Sequence, residues 1–215
     1  MHGLIFFYLQ KFADVAASGS TSWQGVQSST STTTSKYLAS GVYPDSDAVA
    51  ILTAIAETAG RPLPVILDEF GRFLAPHLLR VARTVVDPGW RTLDLIENTE
   101  MLMHAMIRST NPGAAPPVLE AVRHAPDELH LVYSSERRLC PLAVGLMHGF
   151  AAHYGETIAI DETACMLRGD PFCSMVVRQL AAGTTATPLG AGETAVFHPA
   201  AARAAHAPGV PATVS

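Results

Sequence analysis

The chain has 215 residues, 48% hydrophobic and 15% charged, which is enough apolar material to bury the core of one domain plus a tail and excludes disorder throughout. A net charge of −5 removes the basic face that a nucleic-acid binder needs, and no apolar run approaches the ~18–20 residues of a membrane span, so neither partner is expected. Three cysteines suit a reduced, cytoplasmic protein better than a disulfide scaffold, and the opening Met-His-Gly-Leu-Ile lacks the basic start of a signal peptide.

Residues 3–17 place Leu4, Ile5, Phe7, Tyr8, Phe12 and Val15 in a helical rhythm. The Ser/Thr-rich stretch Ser18 to Ser35 reads as a loop or a short helix around Trp23. Asp45-Ser46-Asp47 is expected to cap a helix that Gly60 stops near Ala59, and prolines 62 and 64 open a helix over about 64–85 that Pro76 should kink. After the turn Asp87-Pro88-Gly89, the spacing of Leu93, Ile96, Met103 and Ile107 predicts one long helix over 91–109.

The proline-rich stretch 111–117 cannot continue that helix, and strands are expected at 118–124 and 128–134. An amphipathic helix over 139–154 ends at Gly155, and segments 157–167 and 172–180 form a hairpin across Arg168-Gly169-Asp170-Pro171. Helices first, then two strands, a helix and two strands make an α+β plan: a helical N-terminal part on an antiparallel four-stranded sheet. From 181 to 215 the chain is Ala, Gly, Thr and Pro with little charge, which reads as a disordered tail after a domain of residues 1–180.

Two groups of residues carry possible chemistry. His104 lies among Met101, Leu102, Met103 and Met106, where an imidazole serves equally as a core side chain or as a ligand. Tyr133, Ser135 and Arg137 alternate, so their side chains leave one face and offer two hydroxyls and a guanidinium fork to a carboxylate; a solvated strand edge would look the same. His77, His148 and His153 lack the i, i+4 pairing of a metal helix, and no phosphate loop, nucleophile elbow or paired carboxylates appear, so no enzyme activity is expected.

Taken together, His104 followed by Pro112-Gly113, Pro116-Pro117 and Tyr133-x-Ser135-x-Arg137 resembles the haem-nitric oxide/oxygen binding (H-NOX) family of gas sensors, which includes the sensor domain of soluble guanylate cyclase. The likeness spans about residues 1–180 and extends to the Met-x-Gly opening, Trp23, Gly41-x-Tyr43-x-Asp45 and Phe70-Gly71. It implies a haem b cofactor with His104 as axial ligand of the iron, propionates held by Tyr133, Ser135 and Arg137, and a porphyrin bent by Pro117. The distal pocket it implies is Leu4, Ile5, Leu9, Leu74, Leu78, Leu142 and Leu146. In oxygen-binding members a tyrosine stands where this chain has Leu142. A buried or charge-assisted hydrogen bond is worth roughly 1.5–3 kcal/mol, so its loss costs ~10- to 100-fold in O2 affinity. The resemblance therefore implies a sensor of NO, with CO also bound and O2 excluded. NO binding would release His104, and a histidine kinase or a cyclic-di-GMP enzyme would read the resulting shift.

Cys140, Cys165 and Cys173 form a further group. Some bacterial members bind zinc with four thiolates at this place. Here Glu162 stands three residues before Cys165, so a zinc or redox site would be three thiolates and a carboxylate, while three small buried hydrophobes remain the alternative. Two other functions on this plan stay open: a haem-free zinc or thiol switch, and a small-ligand module like the 4-vinyl reductase domain, whose ending resembles Cys165 and Cys173 around Gly169-Asp170.

Overall fold

The structure is a computed structural model that describes residues 1–16, 23–30, 32, 36–110 and 113–181. The expected tail beyond Ala181, half of the Ser/Thr-rich stretch and Pro112 lie outside the described residues.

Helix α1 (Gly3–Ala16) buries Phe6, Leu9, Phe12 and Ala13, the stripe that its apolar spacing encodes. The short α2 (Trp23–Ser29) seats Val26 beside it. Helix α3 (Asp45–Ala59) ends where Gly60 adopts φ +62°, its N–H returning to the carbonyls of Ala56 and Glu57. The expected cap at its start is not formed: Pro44 precedes the first turn and no side chain caps it, because the Asp45 carboxylate is engaged elsewhere, as described below. Helix α4 (Leu63–Ala82) runs through Pro76 as one element, with that residue exposed.

The segment expected as one helix over 91–109 divides into α5 (Thr92–Thr99), a π-helical turn at Glu100–His104 and α6 (Ala105–Thr110). Strands β1 (Val118–Ala125), β2 (Glu128–Ser134), β3 (Thr157–Ala164) and β4 (Cys173–Leu180) form one antiparallel sheet in the order β1-β2-β4-β3. The β3 strand stops three residues short of expectation, where a 3₁₀ turn at Met166–Arg168 and Gly169 at φ +100° reverse the chain. Pairing sets Leu129 opposite Val177, Leu131 opposite Met175 and Tyr133 opposite Cys173, all buried on the sheet's inner face. Helix α7 (Cys140–Tyr154) covers that face. This is the α+β plan read from the sequence.

Three core clusters result among the described residues: one of helix residues such as Phe6, Ile51, Ile55 and Phe70, one joining α5 and α7 to the sheet, and a small one of Ala75, Leu79, Leu95 and Phe150 where α4, α5 and α7 meet. Helices α4 and α7 bridge them in glycine contact. A Cβ on Gly145 would stand 2.0 Å from the Asp68 carbonyl oxygen, and one on Gly71 would stand 2.5 Å from the Leu142 carbonyl oxygen. Among the described residues no single helix is long and apolar enough to cross a membrane; α3 and α4 pass that test only as a pair bent by 111°.

Candidate functional site

His104 closes the π-helical turn, in which the Ala105 N–H reaches back to the Glu100 carbonyl. Such single turns widen a helix locally and recur at functional sites. The imidazole is largely buried, its Nδ1 stands 3.0 Å from Glu100 Oε2, and the Pro117 main chain also meets the ring. Burial lowers its pKa from the ordinary value against the opposing pull of Glu100. The ring is therefore neutral at pH 7, the form that ligates a metal.

Glu100 links this ring to the sheet. The Leu119 N–H donates to the same carboxylate oxygen at 3.1 Å, and Leu119 is directly opposite Tyr133 in the β1–β2 ladder. Tyr133 is 3% exposed and bonded to Ser135, and burial pushes its hydroxyl up to about 12, so it remains a donor at any working pH. Ser135 Oγ in turn accepts from the Arg137 N–H at 3.3 Å. Strand β2 ends at Ser134, so Ser135 and Arg137 sit in the following turn, yet the alternation persists: positions 133, 135 and 137 are covered while 134, 136 and 138 are exposed. The Arg137 guanidinium donates to the Ala115 carbonyl and pairs with Asp45 at 3.5 Å, and the same Asp45 oxygen meets the Met1 amine at 2.6 Å. Arg138 next to it holds φ +51°, a left-handed conformation unusual for a non-glycine residue and the point where the chain turns from the sheet into α7.

Leu4, Ile5, Leu78, Leu142 and Leu146, from α1, α4 and α7, remain partly exposed although they pack on the helical core. Leu9 and Leu74 differ: they are 0% and 1% exposed and belong to the core itself. None of the seven carries a hydrogen-bond donor. Tyr8 is buried, its ring stacks on His77 and its oxygen accepts from Arg80 at 2.9 Å. An apolar wall, a neutral imidazole and a hydroxyl–hydroxyl–guanidinium clasp form a donor set suited to haem: apolar contact for the macrocycle, nitrogen for the iron, donors for the carboxylates. His104, Pro117 and Tyr133 meet through Glu100 and β1, and Arg137 joins them at Ala115.

A second cluster lies at the same N-terminal end of α7, of which Cys140 is the first residue. One ligand atom each from Cys140, Glu162, Cys165 and Cys173 fall within 4.8 Å of one another, and Cys140 Sγ is 3.7 Å from Cys165 Sγ. All three thiols are free and buried, and desolvation pushes those of Cys140 and Cys173 up. The Met166 N–H donates to Cys173 Sγ and the Cys165 N–H to Asp170, so main-chain donors hold the cluster, while Glu162 pairs with Arg168 at 3.0 Å. A cavity of about 320 Å³, lined by Cys140, Glu162, Cys165, Leu167 and Arg168, opens onto it, and a second of about 460 Å³ lies between Phe7, Trp23 and Tyr37; neither is lined by His104, Tyr133 or Arg137.

Sequence reading missed Glu100, Arg108, Asp45 and the Ala115 carbonyl as parts of the first site. Glu100 carries a local signal, a carboxylate four residues before the histidine on one helical face. Asp45 and Arg137 are 92 residues apart and carry none.

The fold is that of several solved proteins. An H-NOX protein from Shewanella oneidensis in the Fe(II)NO state superposes with a TM-score of 0.75 at 23% identity, covering 84% of this chain and all of that one. The H-NOX domain from the same organism in the Fe(II)CO state gives 0.73 at 24% identity, over 84% of this chain and 99% of that one. An unliganded Fe(II) H-NOX protein from K. algicida gives 0.74 at 14% identity, over 86% of this chain and all of that one. No curated protein matches. The family model described as Haem-NO-binding matches residues 2–162, three quarters of the sequence, and the chain therefore belongs to the haem-nitric oxide binding (H-NOX) family.

Proposed function

We propose that this protein is a haem-based sensor of nitric oxide that signals to a separate protein and performs no catalysis of its own. The observation that carries the reading is the convergence of His104, Pro117, Tyr133 and Arg137 through Glu100 and the β1–β2 ladder. Haem, when bound, would supply an iron that takes up a diatomic gas. His104 would ligate that iron as a neutral nitrogen donor, and Tyr133, Ser135 and Arg137 would bind the propionates, Arg137 leaving Asp45 and Ala115 to do so. Leu4, Ile5, Leu78, Leu142 and Leu146 exclude water from the gas side. They offer bound O2 no hydrogen bond, which NO and CO do not need.

Signalling uses the connection between the site and the rest of the fold. Residues 100–110 are tied to β1 through Glu100 and to α5 by continuity, so releasing His104 frees a short, weakly packed helix end of which Met101 and Met106 are exposed. A partner that prefers one arrangement of that segment converts gas binding into a shift of population. The family suggests a histidine kinase or a cyclic-di-GMP enzyme in the reduced cytoplasm. The test is an absorption spectrum of purified ferrous protein. A Soret band that His104→Ala abolishes and NO shifts supports the reading; no band refutes it, and a stable oxy complex in air refutes the O2 exclusion.

A second ligand is favoured by the compactness of the thiol cluster. Zinc would take Cys140, Cys165, Cys173 and, once it leaves Arg168, Glu162, giving four ligands to a tetrahedral ion. A divalent charge would oppose the desolvation that raises the thiols of Cys140 and Cys173. Metal analysis of anaerobically purified protein tests it: iron without zinc removes the site.

A further inference from the structure

We propose that Glu100 is a positioning residue for His104. Its carboxylate takes Nδ1, leaves Nε2 to face the iron, and makes that nitrogen a stronger donor. The inference rests on the haem reading above, and its argument is independent of which gas is bound.

Three contacts hold the carboxylate. Oε2 stands 3.0 Å from His104 Nδ1 and accepts the Leu119 N–H at 3.1 Å, while Oε1 pairs with the Arg108 guanidinium. A glutamate anchored from its own helix, the next helix and the sheet has little freedom to leave the ring, so it selects one tautomer and one ring orientation. The π-helical turn places the histidine on this partner: Glu100 opens the turn and His104 closes it. Carboxylate–imidazole–metal relays work in this way, because a carboxylate that pulls on the Nδ1 proton raises the basicity of Nε2 and favours the more highly charged metal. Arg108 acts against it by drawing part of the same negative charge.

That opposition separates a tuning role from a merely structural one. An ion pair that only stabilises residues 100–110 would leave the haem spectrum untouched. A tuning carboxylate must give shifts of opposite sign when it is neutralised and when its competitor is removed. A carboxylate hydrogen-bonded to a metal-bound imidazole changes metal affinity or activity by ~10-fold or more. Glu100→Gln is therefore expected to favour ferrous over ferric iron by about tenfold, ~59 mV in midpoint potential for one electron, and to lower the iron–histidine stretching frequency. Arg108→Gln should move both quantities the other way, and it leaves the Glu100–Leu119 tether intact should Glu100→Gln fail to fold.

The experiment loads the full chain and both variants with haem, then records midpoint potential and the ferrous iron–histidine band. Opposite shifts support the proposal. Haem uptake with both quantities unmoved, or moved in one direction by both variants, overturns it while leaving the sensor reading intact. A chain that takes up no haem overturns both.

Discussion

The contact between α4 and α7 is a close glycine-mediated crossing and sets the width of the apolar wall, because α4 carries Leu78 and α7 carries Leu142 and Leu146. Gly145→Ala tests it. The added methyl would stand 2.0 Å from the Asp68 carbonyl oxygen and 2.7 Å from its carbon, both main-chain atoms that no side-chain rotation can remove. Ordinary contact begins near ~3.4 Å, so the helices must part by about 1 Å, against the interlocking of Gly71 with Leu142 and of Gly149 with Ala75 on the same seam. Overpacking of this kind costs ~1–3 kcal/mol, and the better helix propensity of alanine offsets up to about 1 kcal/mol of it. A net loss of about 1–2 kcal/mol lowers the melting temperature by roughly 2–8 °C for a domain of this size. Gly113→Ala serves as the control, since nothing lies within 4 Å of its Cβ position, and should stay within ~0.5 kcal/mol of the parent. The assay is thermal unfolding of the three proteins followed by circular dichroism. A Gly145→Ala protein as stable as the parent would refute the close crossing and the pocket width derived from it.

Leu142→Tyr adds a donor to a wall that has none. In haem-loaded protein it should raise O2 affinity ~10- to 100-fold, the worth of one buried hydrogen bond, and an O2 titration that shows no gain sinks the account of selectivity. Cys165→Ala should reduce bound zinc from about one ion per chain to a trace by elemental analysis; retained zinc would mean that it sits elsewhere. Glu128 is held below its ordinary pKa chiefly by His130, with Arg178 at 2.6 Å adding to it. A depressed carboxylate contributes stability that is fully present above its unfolded pKa of 4.5 and is lost as pH falls through its lower folded value. Its side chain is 27% exposed, so Glu128→Gln should cost about 0.5–1 kcal/mol near pH 7 and almost nothing near pH 2 in urea denaturation. Equal losses at both pH values would contradict this assignment.

The elements most legible in the sequence are those whose signal is repeated along the chain. Helices α3, α4 and α7 and all four strands begin and end within three residues of their expected bounds, because apolar spacing, glycine stops and turn residues act over a few positions. The β2 alternation even carries past the strand's end to Ser135 and Arg137, where a turn keeps the same in-and-out order. The π-helical turn was not legible: one wider turn leaves the apolar rhythm of Leu93, Ile96, Met103 and Ile107 nearly unchanged within a short window. Leu9 and Leu74 share helical stripes with Leu4, Ile5 and Leu78, so spacing alone could not tell wall from core; the neighbouring helices decide that, and they seal Leu9 and Leu74. Asp45 illustrates the same limit. Its place at a helix start reads as a cap, but Arg137 and the Met1 amine, both distant in the chain, outbid the local N–H groups for its carboxylate.

The candidate haem-site residues fall on both sides of that division. The motif residues His104, Tyr133, Ser135 and Arg137 are set by local spacing and survive small changes in packing. The links among them are not local: Glu100 to Leu119, Arg137 to Ala115 and Arg137 to Asp45 each join separate elements through a single polar contact or two. Such contacts break at far lower cost than a packed core, where parting α4 from α7 would expose whole side chains. A switch driven by one gas molecule has only a few kcal/mol available. The polar links around His104 lie within that range and the glycine seam does not, so a change of state in this fold is expected at the Glu100–Leu119, Arg137–Ala115 and Arg137–Asp45 contacts.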